Sequence, residues 1–165
     1  MAKLESGRSQ LFIVCSLLMS ALFAFSASVQ LDDPDWYFWL PLYATASVIN
    51  LVNAVFTSSM MMISMRQSVK ITLWLGLFLL TKVLVEDYLK GIAGFWSFDM
   101  RERVVREKFG SGLVIFSMVF CLQAFSSSSS SISCYPTKGM ACLVGVSYGM
   151  SFVFYGFQRK EMKFI

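Results

Sequence analysis

Polar side chains that could bind a ligand gather in three short segments beside long apolar stretches of this chain. The segments contain Gln30, Asp32, Asp33 and Asp35, then Glu86 and Asp87, then Arg106 and Glu107. Carboxylates at a membrane surface can hold a divalent cation, and an arginine can bind a phosphate through paired hydrogen bonds. If the three segments meet in the fold, they predict a binding site for a lipid headgroup or a cation.

The same residues also have structural explanations. The Asp33-Pro34-Asp35 segment is typical of a helix start, with Asp33 as the cap and Pro34 as the first helical residue. Asp35 would then lie in the first turn, where the positive end of the helix dipole stabilises a carboxylate. Opposite charges stand four residues apart, the spacing of ion pairs along one helix, in Lys82 and Glu86, Glu102 and Arg106, and Arg103 and Glu107. Both explanations stay open from the residues alone.

Several classes of chemistry are excluded by the residue types. The chain has no histidine, which excludes His-dependent triads, HExxH zinc hydrolases and imidazole ligation of haem. Its four cysteines show no CxxC spacing, so a thiolate metal site is not expected. Cys134 and Cys142 could form a disulfide only in an oxidising compartment. No glycine-rich phosphate loop is present, and we expect no cofactor.

The amino-acid composition indicates that the chain folds in a membrane rather than in water. Hydrophobic residues make up 56% of the 165 residues, charged residues make up 15%, and the mean hydropathy is +0.64. This is more apolar surface than a soluble domain of that size could bury. Because a helix needs roughly 20 mostly apolar residues to cross a bilayer, about five spans would fill the chain. We therefore predict an all-α fold, a polytopic transmembrane helical bundle that forms a single domain.

Five apolar stretches are predicted to cross the membrane. Their approximate bounds are 11–29, 34–57, 69–89, 110–127 and 139–158. The first could also be a cleaved signal peptide, but its regular small residues favour a retained helix. Residues 98–109 carry apolar side chains at helical spacing among charged ones, which predicts a short amphipathic helix in the interface before the fourth span. The fourth stretch is short, so it must use flanking residues to cross.

Small residues repeat every four positions on two of these helices. They are Ser16, Ser20, Ala24 and Ser28 in the first, and Ala141, Gly145 and Gly149 in the fifth. Such stripes let membrane helices approach closely, so we expect them at helix contacts, within the bundle or, for the fifth helix, in a dimer. Asn50 and Asn53 share one face of the second helix, and we predict that they form interhelical hydrogen bonds.

Alternating crossings place the three polar segments on one side of the membrane. With five spans, the Asp loop, residues 86–109 and the C-terminus emerge together. The N-terminus, the connection at residues 60–70 and the serine run at residues 126–131 emerge on the opposite side. Eight Lys and Arg residues lie on the side of the C-terminus and five on the other side. The positive-inside rule then predicts a cytoplasmic C-terminus.

Four features of the sequence occur together and in order. They are Val29-Gln30-Leu31-Asp32-Asp33-Pro34-Asp35, then Trp39 and Tyr43, then Arg106-Glu107 before Ser111-Gly112-Leu113, and the serine run after the fourth span. In this combination the chain resembles the transmembrane protein 220 family. The chain departs from the family pattern at Asp32-Asp33, where Asn-Asp is usual. The resemblance implies a small multi-pass membrane protein, and it carries no activity, cofactor or catalytic residue over to this chain.

These observations favour a non-enzymatic membrane protein that binds membrane lipids, or another membrane protein, at the Asp and Arg-Glu surface. The net charge of +4 lies in loops and tails rather than on one basic face with aromatic residues, so nucleic acid is not an expected partner. A small transporter is one alternative, and its polar groups should lie near the bilayer midplane. The other is a metal-assisted lipid-modifying enzyme that uses Asp32, Asp33, Glu86 or Glu107.

Overall fold

Five α-helices build the fold over the part of the chain that the structure describes. The computed structural model describes residues 10–32, 34–55, 59–90, 103–126 and 134–161. The helices are α1 (Gln10–Val29), α2 (Trp36–Val55), α3 (Ser59–Lys90), α4 (Arg103–Ser126) and α5 (Cys134–Glu161). A 3-10 turn, Gln30–Asp32, extends α1. The described residues contain no strand, which confirms the prediction of an all-α helical bundle.

Four helical segments among the described residues are long and apolar enough to cross a membrane. They are Gln10–Val29, Trp36–Val55, Met65–Leu89 and Arg103–Phe125. A helix of 20 residues is about 30 Å long, which matches the hydrocarbon thickness of a bilayer. Among the described residues, α5 is not one of these four segments. The crossing of residues 139–158 stays a prediction.

The helices pack in a defined order around a shared apolar core. The most extensive interfaces join α1 with α2 and α3 with α4, while α5 packs against both α1 and α4. α2 also contacts α3 and α4. The largest fully buried side chains include Trp39, Phe23, Met19, Leu42, Leu79 and Met118. Four helix ends meet at one end of the bundle, here called the charged end: the ends of α1 and α3 and the starts of α2 and α4.

Two predicted boundaries are wrong. Residues 60–70 belong to α3 rather than to a connection, because this Met-rich segment has no Gly or Pro to stop a helix and buries Val69 in the core. Residues 103–109 form the first turns of α4 instead of a separate interfacial helix, because Val104 and Val105 are buried in the bundle. Residues 98–102 lie outside the described residues. With these added turns, α4 has the length for a full crossing.

Only half of the small-residue stripe on α1 lies at a helix contact. Ser16 and Ser20 are buried, whereas Ala24 and Ser28 are exposed. A four-residue repeat turns about 40° per step around a helix of 3.6 residues per turn, so the stripe rotates out of the interface. At the contact, the hydroxyl of Ser20 donates to the carbonyl oxygen of Ser47 over 2.9 Å. The hydroxyl of Ser47 donates in turn to the carbonyl oxygen of Ser20, also over 2.9 Å.

The stripe on α5 makes no close contact within the described bundle at its two glycines. Gly145 and Gly149 are exposed, and a Cβ atom at either position would have no described neighbour within 4 Å. Ala141 is half-buried against the core. The close approaches occur elsewhere: a Cβ at Gly76 would lie 3.2 Å from Cγ1 of Ile115, and Gly139 lies against the ring of Phe120. Single glycines at helix contacts form no repeat, so the sequence alone could not predict these contacts.

Polar groups inside the bundle behave as interhelical partners. The hydroxyl of Ser117 on α4 donates to Oδ1 of Asn50 over 3.1 Å, and Nδ2 of Asn53 donates to Sγ of Cys121 over 3.4 Å. The prediction for both asparagines is confirmed. The disulfide considered for Cys134 and Cys142 is excluded, because Cys142 is free and eight residues along one helix separate their Cα atoms by about 12 Å.

The approach of α3 to α4 at Gly76 gives a test of the packing. We expect Gly76→Leu to lower the free energy of unfolding by about 1–3 kcal/mol relative to Gly145→Leu, because the new side chain overfills the contact with Ile115. Both substitutions replace a mid-helix glycine, so the gain in helix propensity is matched. Thermal unfolding of the two purified variants in detergent measures the difference, and equal stability would contradict this packing.

Candidate functional site

Asp35 joins three helices at the charged end. Its carboxylate pairs with the guanidinium of Arg103 on α4, and Nζ of Lys82 on α3 lies 3.7 Å from its Oδ2 atom. Nε1 of Trp39, one turn along α2, donates to the same Oδ2 over 3.4 Å. A carboxylate and two cations from different helices therefore fix the start of α2 against α3 and α4.

The start of α2 differs from the sequence prediction. The helix begins at Trp36, so Asp35 is the residue before it and Pro34 lies in the preceding turn rather than at the first helical position. The backbone N–H of Phe38 donates to the carbonyl oxygen of Asp35 over 3.1 Å. Because Asp35 turns its carboxylate to other side chains, its role is to join helices more than to cap one.

Glu107 extends this cluster along α4. Nε of Arg103 donates to Oε1 of Glu107 over 2.6 Å, which confirms the predicted pair of residues four apart. The Glu107 side chain is 8% exposed. Lys82 also lies over the ring of Phe38, with Nζ 4.8 Å from the ring centroid, and Glu86 is half-buried one turn along α3. Asp35, Lys82, Arg103 and Glu107 are called the ion-pair network below.

A second ion pair joins the end of α3 to the start of α4. Nζ of Lys108 donates to Oδ2 of Asp87 over 2.5 Å, and the two side chains are 14% and 5% exposed. Asp87 was among the predicted site residues, but Lys108 was not. Because Asp87 and Lys108 lie on different helices, no spacing along the sequence could have indicated this ion pair. Buried charges of this kind are tolerated only when paired.

The predicted site residues lie in two neighbouring places in the structure. Asp35, Asp87 and Glu107 lie in ion pairs at the charged end. Gln30 and Arg106 line a cavity on the adjacent face of α4. Asp33 and the side chain of Asp32 lie outside the described residues. The prediction from the sequence therefore placed the correct helix ends together, but it assigned residues from two different environments to one site.

The carboxylates that the structure describes do not form a metal site. Among these residues, no three Asp, Glu or Cys side chains converge as metal ligands would. Asp35, Asp87 and Glu107 instead face Lys and Arg side chains, which repel a cation. The chemistry of this part of the charged end is that of ion pairs between helices.

The cavity lies between α1, α2, α4 and α5 and has a volume of about 250 Å³. Apolar side chains make most of its wall; they include Leu22, Phe25, Phe109, Leu113 and Met150. Arg106, Phe109 and Leu113 follow one another at three- and four-residue steps, so a single face of α4 supplies them. The polar side chains on the wall include Gln30 and Arg106, and Arg106 is exposed.

Gln30, a residue of the cavity wall, has a buried amide oxygen. This Oε1 atom has no hydrogen-bond partner among the residues that the structure describes. The serine hydroxyls on the wall are already engaged: Ser26 donates to the carbonyl oxygen of Leu22, and Ser151 to that of Ser147, each over 2.9 Å. Buried acceptors without a donor are rare in native proteins and call for a partner such as a water or a ligand.

Tyr43 lies between the ion-pair network and the cavity. Its ring stacks between Phe23 and Trp39, with centroid distances of 6.4 and 6.2 Å, and its hydroxyl lies against Gly110. Tyr43 lines the cavity, whereas Trp39 donates to Asp35. The absence of a Cβ at Gly110 lets α4 approach the tyrosine, and the stacked rings place α1 and α2 around the cavity.

The buried pair of Asp87 and Lys108 can be tested by removing one charge or both. Asp87→Ala leaves the Lys108 ammonium buried and unpaired, so we expect a loss of about 3–5 kcal/mol in the free energy of unfolding. Adding Lys108→Met should restore most of the loss, because no unpaired charge remains. Arg66→Ala, at an exposed cation on α3, is the control and should change stability by less than about 0.5 kcal/mol. An Asp87→Ala protein as stable as the control would contradict the pair.

Comparison with known proteins places the chain in a family. The family model described as transmembrane family 220, helix, matches residues 22–123, more than half of the chain. The match includes the ion-pair network, both residues of the second ion pair, and Gln30 and Arg106 of the cavity. No curated protein and no solved structure matches. The chain therefore belongs to transmembrane family 220 and is an integral, multi-pass membrane protein.

Proposed function

We propose that this protein is a non-enzymatic lipid-binding membrane protein that holds a membrane lipid in the cavity between α1, α2, α4 and α5. The observation that carries the proposal is the lining of that cavity, where an apolar wall meets Gln30 and Arg106. Binding sites for small molecules combine mostly apolar walls with a few polar groups that fix orientation. A lipid has the matching division into tail and headgroup.

The order of residues along the helices supports this match. Gln30 follows the end of α1, and Arg106 lies in the first turn of α4, so both belong to the charged end. Leu22 and Leu113 lie eight and seven residues further into the bundle, which is about 10–12 Å deeper along the helix axes. A lipid would therefore place its headgroup near the membrane surface and its tail among the apolar side chains.

A second candidate function is binding to another membrane protein through α5. The exposed glycines Gly145 and Gly149 favour it, because they leave a helix face on which a second helix could pack closely. The two functions use different faces of the protein. Mass measurement of the purified assembly distinguishes them, since a bound lipid and a bound protein differ greatly in mass.

We also propose that the charged end and the C-terminus face the cytoplasm. The support is the larger number of Lys and Arg residues on that side. We expect a cysteine introduced at Gln158 to react with a membrane-impermeant maleimide only after the membrane is opened. Labelling of intact cells at this position would contradict the proposed orientation.

Filling the cavity tests the lipid-binding proposal. We expect wild-type protein to keep a lipid through purification, and Leu113→Trp and Ser151→Phe to lose most of it, because both enlarge side chains of the cavity wall. Phe116→Trp, at an exposed position of α4, is the control and should keep the lipid. Native mass spectrometry and lipid extraction measure occupancy, and thermal unfolding confirms that each variant is folded.

Two results would contradict the proposal. One is a wild-type protein that carries no lipid and is not stabilised by added lipids. The other is equal lipid occupancy in the control and in both folded cavity variants, since the lipid would then bind elsewhere on the surface.

A further inference from the structure

We infer that the hydroxyl of Tyr43 binds the lipid in this cavity by donating a hydrogen bond to an acyl ester carbonyl. The inference rests on the lipid-binding function proposed above and names the chemical group that the cavity recognises, an ester-linked chain rather than an ether-linked one. Three observations lead to it: the placement of the tyrosine ring, the bonding of its hydroxyl, and the level of that hydroxyl in the bundle.

Tyr43 is almost wholly buried, and its ring is held in place. The residue is 3% exposed, and the ring stacks on Phe23 of α1 and on Trp39 of α2. The hydroxyl lies against Gly110 of α4, and both Tyr43 and Gly110 line the cavity. Because the stacked rings fix the direction of the phenol, its O–H group is a preoriented donor at the cavity wall.

The hydroxyl of Tyr43 has no hydrogen-bond partner among the residues that the structure describes. Its oxygen keeps accessible surface on the cavity, whereas Oε1 of Gln30 is fully enclosed. The carboxylate of Glu107, three residues before Gly110 on α4, accepts from Nε of Arg103 instead. A buried O–H group without an acceptor is unfavourable, so this phenol calls for an oxygen atom from the occupant of the cavity.

The level of the hydroxyl in the bundle indicates which part of a lipid it meets. Gly110, which lies beside it, comes four residues after Arg106 and three before Leu113 on α4. At 1.5 Å per residue, this is about 6 Å further into the bundle than Arg106. Ester groups join the headgroup of an acyl phospholipid to its hydrocarbon chains. A lipid with its headgroup at the charged end therefore places an ester carbonyl at the level of Tyr43.

A carbonyl oxygen suits this donor better than the other groups of a lipid at that level. Its lone pairs lie in the plane of the ester and readily accept an O–H group. The CH₂ groups of a chain accept no hydrogen bond, and the ether oxygen that replaces the ester in alkyl lipids is a weaker acceptor. The phenol thus distinguishes acyl from alkyl lipids that are otherwise alike.

Matched ester and ether lipids test the inference. The full chain is purified in detergent, stripped of lipid, and incubated with diacyl phosphatidylcholine or with dialkyl phosphatidylcholine of the same chain length. We expect the ester lipid to bind about fivefold more tightly, the difference made by one hydrogen bond. Native mass spectrometry measures the occupancy. The same pair with a phosphatidylglycerol headgroup should show the same preference, because the headgroup is identical within each pair.

Tyr43→Phe assigns the preference to the hydroxyl. The variant loses one oxygen atom and keeps the stacked ring, so it should bind the ester and ether lipids equally. Without lipid it should unfold at the wild-type temperature, because the hydroxyl makes no bond within the protein. Tyr37→Phe removes the same atom at an exposed position of α2 and should keep the ester preference.

The outcomes separate this inference from the lipid-binding proposal. Equal binding of the two linkages by the wild-type protein would show that a water, not the lipid, bonds to the hydroxyl. An ester preference that survives in Tyr43→Phe would place the carbonyl elsewhere, and a lipid-free variant that unfolds at a clearly lower temperature would show a partner within the protein. Each of these results overturns the inference and leaves lipid binding in place. If neither linkage binds and the purified protein carries no lipid, the proposed function and the inference both fail.

Discussion

The pairing of Asp35 with Arg103 is the interaction on which the arrangement of the helices depends. A charged group in or near a bilayer needs a partner, since an unpaired charge in low dielectric is strongly unfavourable. Here the carboxylate precedes α2 and the guanidinium begins α4, with Lys82 of α3 close to the same carboxylate. Three helices must therefore bring their ends to one end of the bundle, and the ion pair of Asp87 and Lys108 holds α3 against α4 beside it.

This constraint also sets the rotation of α4 and so creates the cavity. Arg103 and Glu107 bond to each other one turn apart and face the network. Arg106, between them in sequence, then points about 100° away from Glu107, toward α1 and α5. Gly110 follows on that side and accommodates Tyr43, whose ring stacks on Phe23 and Trp39. The ion pairs thus position the cavity without lining it, whereas Arg106 and Gln30 lie on its wall.

The sequence predicts which helix ends meet, because the number of crossings fixes the side of each segment. It also predicts the pair of Arg103 and Glu107, since residues four apart on a helix always share a face. It could not separate Glu107 from its neighbour Arg106 or find Lys108 as the partner of Asp87, because both depend on how helices rotate against each other. The prediction for the four-residue stripe of α1 was half right for a related reason. Ser16 and Ser20 are buried, but the repeat drifts from the helical period, so Ala24 and Ser28 are exposed.

A double-mutant cycle on the purified full chain tests the central claim most directly. Asp35→Asn and Arg103→Gln are made singly and together, and the thermal unfolding of each variant is compared with that of the wild-type protein. Each single change leaves the other charge without this partner, so we expect the double variant to lose clearly less stability than the sum of the two single losses. Losses that simply add would show that the two residues do not interact, and the account of how α2 and α4 are held together would be wrong.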